Sequence, residues 1–149
     1  MSFGPAYQIQ CLEQDTLREL WRADLPNESG AYNRLEQDGE NVYVLAQGRA
    51  LAFKIANGKR LWATDEFTSG AFFRPFGTSA LTHSGHFILE WRDTLSGEVI
   101  GVWGKRETGF AHDAVLIGKN VLVEWTGDAG DSLRLMTLPN EIDERFTRR

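Results

Sequence analysis

Apolar residues recur along this chain with a period of two far more often than with a helical period. Val42-Tyr43-Val44-Leu45, Ala50 to Ile55, Phe87 to Trp91 and Val121 to Trp125 are short runs rich in β-branched and aromatic residues. Turn residues bound each run, and that combination predicts strands. Asn57-Gly58 lies between two such runs and supplies the positive φ angles of a tight hairpin. Ser96-Gly97 holds the comparable place later, and Asp38-Gly39, Ser84-Gly85 and Gly127-Asp128 mark further reversals. No long amphipathic helix is visible. The stretch Asn140 to Arg149 is short and charged, and reads as a frayed strand or a turn of helix.

A longer period overlies the short one. Leu20-Trp21, Leu61-Trp62 and Val102-Trp103 each place an aliphatic residue before a tryptophan, at an interval of 41 residues. The surroundings repeat as well. Leu51 to Trp62 reads as strand, turn, strand; Leu89 to Trp103 and Tyr7 to Trp21 read the same way, and Leu133 to Ile142 is a degraded fourth copy. Ahead of these hairpins lie further strand pairs: Arg34 to Leu45, Phe73 to Gly77 with Ser79 to Thr82, and Ala114 to Val123. Four strands per unit of about 40 residues is the signature of a β-propeller blade. The expected fold is therefore all-β, with propeller-like blades of four antiparallel strands in about three and a half to four repeats. The approximate units are 1–30, 31–66, 67–106 and 107–149 of one domain. The competing architecture is a β-sandwich or barrel.

The segment from Gly39-Glu40-Asn41-Val42 to Asn57-Gly58-Lys59-Arg60-Leu61-Trp62 resembles the pyrroloquinoline-quinone-like (PQQ-like) repeat. In that family a blade runs from Gly through two apolar strands to Gly-Lys-x-Leu-Trp. The next unit keeps Ser96-Gly97-Glu98 and Val102-Trp103, while the first keeps Leu20-Trp21 but has Gln14-Asp15-Thr16 at the turn. For a quinone-dependent dehydrogenase the resemblance would imply an active-site carboxylate, a bound calcium or related ion and, in many members, adjacent cysteines. This chain has one Cys and no matching constellation. The resemblance therefore implies the non-enzymatic branch, which includes scaffold propellers similar to the outer-membrane assembly lipoprotein. No catalytic, cofactor or metal residue is carried over, and no cofactor is expected.

Composition narrows the setting. The 149 residues fit one domain, with 42% hydrophobic and 25% charged residues, which suits a globular chain rather than a disordered one. No apolar run approaches the length of a membrane span, and Met1 to Pro5 shows no basic-then-apolar leader. A single Cys11 fits a reducing compartment. A net charge of -5 disfavours nonspecific nucleic-acid binding. The expectation is a cytoplasmic protein that engages neither membrane nor nucleic acid.

Candidate chemistry is sparse. His83 and His86 flank Ser84-Gly85 without an evident third ligand, and read as turn histidines. His112-Asp113 has the composition of a base and its orienting acid, yet no nucleophile motif accompanies it. Gly127-Asp128-Ala129-Gly130-Asp131 lacks the length and final Glu of a calcium loop and reads as a hairpin. Cys11 reads as a small core residue, and Arg145, Arg148 and Arg149 as a solvated tail. The aromatic segment is more distinctive. Phe67, Phe72, Phe73 and Phe76 crowd around Arg74-Pro75 between Gly70 and Gly77. Aromatics with Arg are common binding anchors, so Phe67, Phe72, Phe73, Arg74 and Phe76 are the expected protein-binding residues. The competing role for these rings is packing between blades.

Together these features point to a non-catalytic, propeller-type interaction module with a protein partner. The alternatives are a small acidic cytoplasmic immunity or inhibitor protein that blocks a toxin or enzyme, and an enzyme of unknown class. Closed propellers need at least four blades, so a homo-oligomer or partner chain completing the ring is also expected.

Overall fold

The computed structural model describes residues 7–26, 32–46, 49–65, 72–83, 89–103 and 109–137. Their strands form four antiparallel sheets. The first pairs β1 (Tyr7–Leu12) with β2 (Glu19–Leu25). The second holds β3 (Tyr32–Gln37), β4 (Asn41–Ala46), β5 (Arg49–Lys54) and β6 (Arg60–Thr64). The third holds β7 (Phe73–Phe76), β8 (Ser79–Thr82), β9 (Leu89–Asp93) and β10 (Val99–Trp103). The fourth holds β11 (Gly109–Ile117), β12 (Asn120–Gly127) and β13 (Gly130–Thr137). Strand order follows chain order in every sheet, so each is a meander, as blades are. Asn140 to Arg149, His86 and Ser84-Gly85 lie outside the described residues.

The central strands are apolar on both faces because both faces are covered. Val42 and Val44 of β4 join Leu51 and Phe53 of β5 in a core with Leu25 and Ile9 of the first sheet. Their neighbours Tyr43, Leu45, Ala50 and Ala52 point the other way and pack with Phe73 and Ala80 of the third sheet. A third core joins Leu81, Leu89 and Trp91 to Val121, Val123 and Trp125 of the fourth sheet. Consecutive sheets thus stack face to face, and the apolar runs of β4, β5, β8 and β9 are strands with almost no face left to water.

The tryptophan interval has a structural cause. Trp21, on β2, lies over the β5–β6 turn of the next sheet, and its indole N–H donates to the Ile55 carbonyl at 2.6 Å. Trp62, on β6, repeats the contact one sheet on, donating to the Thr94 carbonyl at 2.9 Å. Each ring rests on a glycine in the left-handed region, Gly58 at φ 69° and Gly97 at φ 75°. A Cβ on Gly58 would stand 2.5 Å from the Trp21 ring, and one on Gly97 2.6 Å from the Trp62 ring. The β1–β2 turn is closed in the same way, by Leu17 N–H to the Glu13 carbonyl at 2.8 Å. There, however, a leucine at φ 57° takes the glycine's place and is 70% exposed. The side chain of Trp103 lies outside the description.

Packing around the second contact is dense. Tyr43, Trp62 and Phe73 form an aromatic trio across the two sheets, with centroids 4.6–6.1 Å apart. Arg92, buried, donates to the Gly97 carbonyl at 2.8 Å and pairs with buried Glu90 at 3.3 Å, so the turn under Trp62 is held from both sides. Pro75 weakens no central strand, because β7 is the edge of its sheet.

The docking contact sets the first test. Gly97→Ala adds a methyl group against the Trp62 ring at a positive φ, and is expected to destabilise the chain by about 2–3 kcal/mol in urea unfolding. Leu17→Gly removes a leucine from the same backbone conformation without disturbing any ring. It is expected to stabilise by about 0.5–1 kcal/mol.

Candidate functional site

The first strands of the second, third and fourth sheets bring one cation and two carboxylates together. Arg74, on β7, holds Asp113 of β11 through two contacts from one terminal nitrogen, at 2.7 and 2.8 Å, and a weaker one from Nε at 3.3 Å. Its other terminal nitrogen reaches Glu36 of β3 at 3.4 Å. The Asp113 carboxylate also accepts its neighbour Ala114 N–H at 2.8 Å. Hydrogen bonding to Asp113 raises the Arg74 pKa further above its usual value, against a smaller opposing effect of burial. The guanidinium is thus locked in its charged form. Arg74 and Asp113 keep about a third of their side-chain surface in water, at 33% and 34%. The cluster is therefore a part-hydrated polar feature set beside tightly packed cores.

The other residues of the expected docking segment are placed differently. Phe72 and Phe73 are 1% and 0% exposed. Phe73 packs with Tyr43 and Trp62, and Phe72 with the core shared by the third and fourth sheets. Both rings do the packing that was the competing role for this segment, and neither offers surface to a partner. Phe76 is half-buried against the same core as Phe72. Phe67 lies outside the described residues.

Of the histidine candidates, His83 and His112 are held in structural contacts. His112 and Asp113 do not act together: the strand register shifts between Ala111 and Asp113, and the two side chains serve different partners. Asp113 meets Arg74, while His112 Nε2 lies 2.6 Å from the Thr126 hydroxyl. That hydroxyl donates its one proton to Asp131 at 2.6 Å, so the imidazole nitrogen is the donor to Thr126. A histidine donating to a hydroxyl cannot activate it as a general base. His83 is 4% exposed and meets the Trp125 ring edge-on at 6.1 Å. The segment around Gly127-Asp128 is the hairpin expected, with Gly130 at φ 98° opening β13. No group of three metal-ligating side chains occurs among the described residues. Cys11 is a half-buried free thiol on β1.

Asp38 stands at the reversal that Asp38-Gly39 marks in the sequence, but its contacts could not be read there. Its carboxylate caps the β3–β4 turn, accepting Glu40 and Asn41 N–H at 3.0 and 2.8 Å and the Tyr43 hydroxyl at 2.6 Å. Burial alone would raise its pKa, but these hydrogen bonds outweigh burial and hold it below the usual 3.8. Burial and the Asp38 charge push the Tyr43 hydroxyl well above its ordinary range. The turn lines a cleft of about 390 Å³ between the second and third sheets, with Thr78, Thr94 and Leu95 on its far side.

No family model matches the sequence, and no curated protein matches it. Solved structures do. The crystal structure of BamB from Moraxella catarrhalis superposes with a TM-score of 0.63 at 13% identity, covering 88% of this chain and 38% of that one. The computationally designed Ika4 protein superposes with a TM-score of 0.68, also at 13% identity, covering 89% of this chain and 80% of that one. A likeness shared with a natural and a designed protein at the same low identity is a likeness of fold. The chain is all-β with a β-propeller-like arrangement of blades, and it spans under two fifths of the BamB chain.

Asp38 yields a pH test with a definite sign. A carboxyl whose folded pKa is lowered contributes stability in full above its unfolded pKa, and loses it as pH falls through the folded value. Urea stability is therefore expected to decline as pH drops through about 4 toward the lowered Asp38 value. Asp38→Asn should be less stable at neutral pH and show a flatter acid limb, read by fluorescence-monitored unfolding at each pH.

Proposed function

We propose that this chain is a non-catalytic, propeller-type protein-interaction module whose contact surface includes Arg74. The observation that carries the reading is the Arg74–Asp113–Glu36 cluster. It draws one residue from each of three sheets, and the guanidinium and the Asp113 carboxylate stay partly exposed. An ordered, part-hydrated Arg is a favoured anchor in protein interfaces, because its fork is already oriented and loses little freedom on binding. Half-buried Phe76, two residues along β7, adds apolar area beside it. The use of Asp113, Thr126 and Asp131 in structural contacts supports the non-catalytic part of the reading. The fold likeness to BamB supports it as architecture only. A cytoplasmic setting accords with the free thiol of Cys11.

Paired affinity capture tests this. Wild-type chain and Arg74→Gln, both shown to be folded by circular dichroism, serve as matched baits. A protein retained by wild type and reduced at least about tenfold by Arg74→Gln is expected. Equal recovery of every captured protein by the two baits contradicts the reading.

A further inference from the structure

The two outermost faces of the stack differ in kind. On the outer face of the first sheet, Gln8, Gln10, Arg22 and Asp24 alternate along the strands, with Gln8 hydrogen-bonded to Asp24 and Arg22 paired with Glu19, and Leu12 and Leu20 lie toward the turn end, 46% and 52% exposed. Its turn carries Leu17 where the inner sheets have a ring-bearing glycine, so a tryptophan cannot dock there as it does on Gly58 and Gly97. The outer face of the fourth sheet is apolar. Register places Val115, Leu122 and Leu135 side by side in one row across β11, β12 and β13. Ile117 and Leu133 flank this row on the same face, and the four aliphatic residues other than Leu122 are 51–70% exposed. Together they make a patch on the order of 400 Å², the size of the largest apolar patch on a typical monomer and one that commonly marks an interface.

We propose that the outer face of the fourth sheet binds the same face of a second copy of this chain. Only the fourth sheet's outer face carries an aliphatic row unbroken across its strands, so two copies bury that row by meeting through it, in a two-fold, self-complementary contact. Charge fixes the direction. Lys119 lies at one end of the patch in the β11–β12 turn, and Glu124 at the other, beside Leu133. A two-fold axis along the Val115–Leu122–Leu135 row lays that row on its own copy. It also runs the strands antiparallel, and so brings Lys119 of each copy toward Glu124 of the partner. The strands then pack as two aligned sheets of a sandwich. Completion of a ring by head-to-tail copies would instead set Gln8, Gln10, Arg22 and Asp24 of the first-sheet face, and its leucine turn, against the aliphatic row. Glu124 faces Asp113, the partner of Arg74, across β11 and β12, so it is the Leu135→Glu arm, away from that pair, that separates this inference from the proposed partner site.

Mass in solution on the full chain is the test. Light scattering after size exclusion at about 0.5 mM is expected to give two copies, falling toward one on dilution, as a small interface should. Leu135→Glu is expected to give one copy with an unchanged circular dichroism spectrum. Lys119→Glu and Glu124→Lys should each weaken the dimer at least about fivefold, and the chain carrying both should recover it. That charge-swap cycle keeps the test open if Leu135→Glu fails to fold. The inference is overturned by a wild type that stays a single copy, by a dimer unaffected by Leu135→Glu, or by a double swap that recovers nothing. It is equally overturned if the wild type is a single copy and Leu135→Glu lowers its melting temperature by several degrees, since the chain's own residues then cover the row.

Discussion

A small antiparallel sheet has two faces and cannot bury either alone. In this chain the solution is a tryptophan at the end of one sheet laid flat on a glycine turn of the next, with its indole N–H held by a turn carbonyl. Trp21 on Gly58 and Trp62 on Gly97 make the same contact twice. Each fixes how one sheet sits on its neighbour, so the apolar residues between them meet in register. The cores between the sheets so joined follow from that placement: Leu25 with Val44, and Tyr43 with Phe73. The glycines are required because the ring occupies the space of a side chain, and because the turn needs a positive φ.

The same constraint explains what could be read from the residues alone. The 41-residue tryptophan interval is a docking distance repeated by the chain, so it announces both the blade and its length. Strand positions were legible because two-sided burial leaves short apolar runs bounded by turns. The aromatic segment was harder. Phe72 and Phe73 are adjacent residues that point into two different cores, which in sequence looks like a cluster rather than an alternation. Pro75 beside them is accommodated because β7 is an edge strand. The Arg74 cluster went unseen because its members are 38 and 39 residues apart. That spacing is itself close to the repeat length. Charged residues at equivalent places in successive first strands are the signal that could have revealed it.

Polar side chains here serve mainly to hold backbone in place. Asp38 caps one turn and Asp93 another, where its carboxylate accepts Leu95 and Ser96 N–H at 2.9 Å each. Buried Arg92 steadies the Gly97 carbonyl beneath Trp62. Asp113 and Asp131, which in the sequence resembled parts of a catalytic and a calcium site, are held by Arg74 and the Thr126 hydroxyl. Among the described residues two surface features stand out: a part-exposed ionic cluster where three sheets converge, and an apolar face at one end of the stack.

Protection of the indole N–H groups tests the docking contact most directly. Trp21 and Trp62 signals, assigned by single Trp→Phe substitutions, should exchange with solvent far more slowly than a free indole. Gly58→Ala should release Trp21 while leaving Trp62 protected, because the methyl displaces only the ring above it. Exchange of both indoles at the free rate in the wild type, or protection of Trp21 unchanged in Gly58→Ala, would contradict the account of how these sheets are joined.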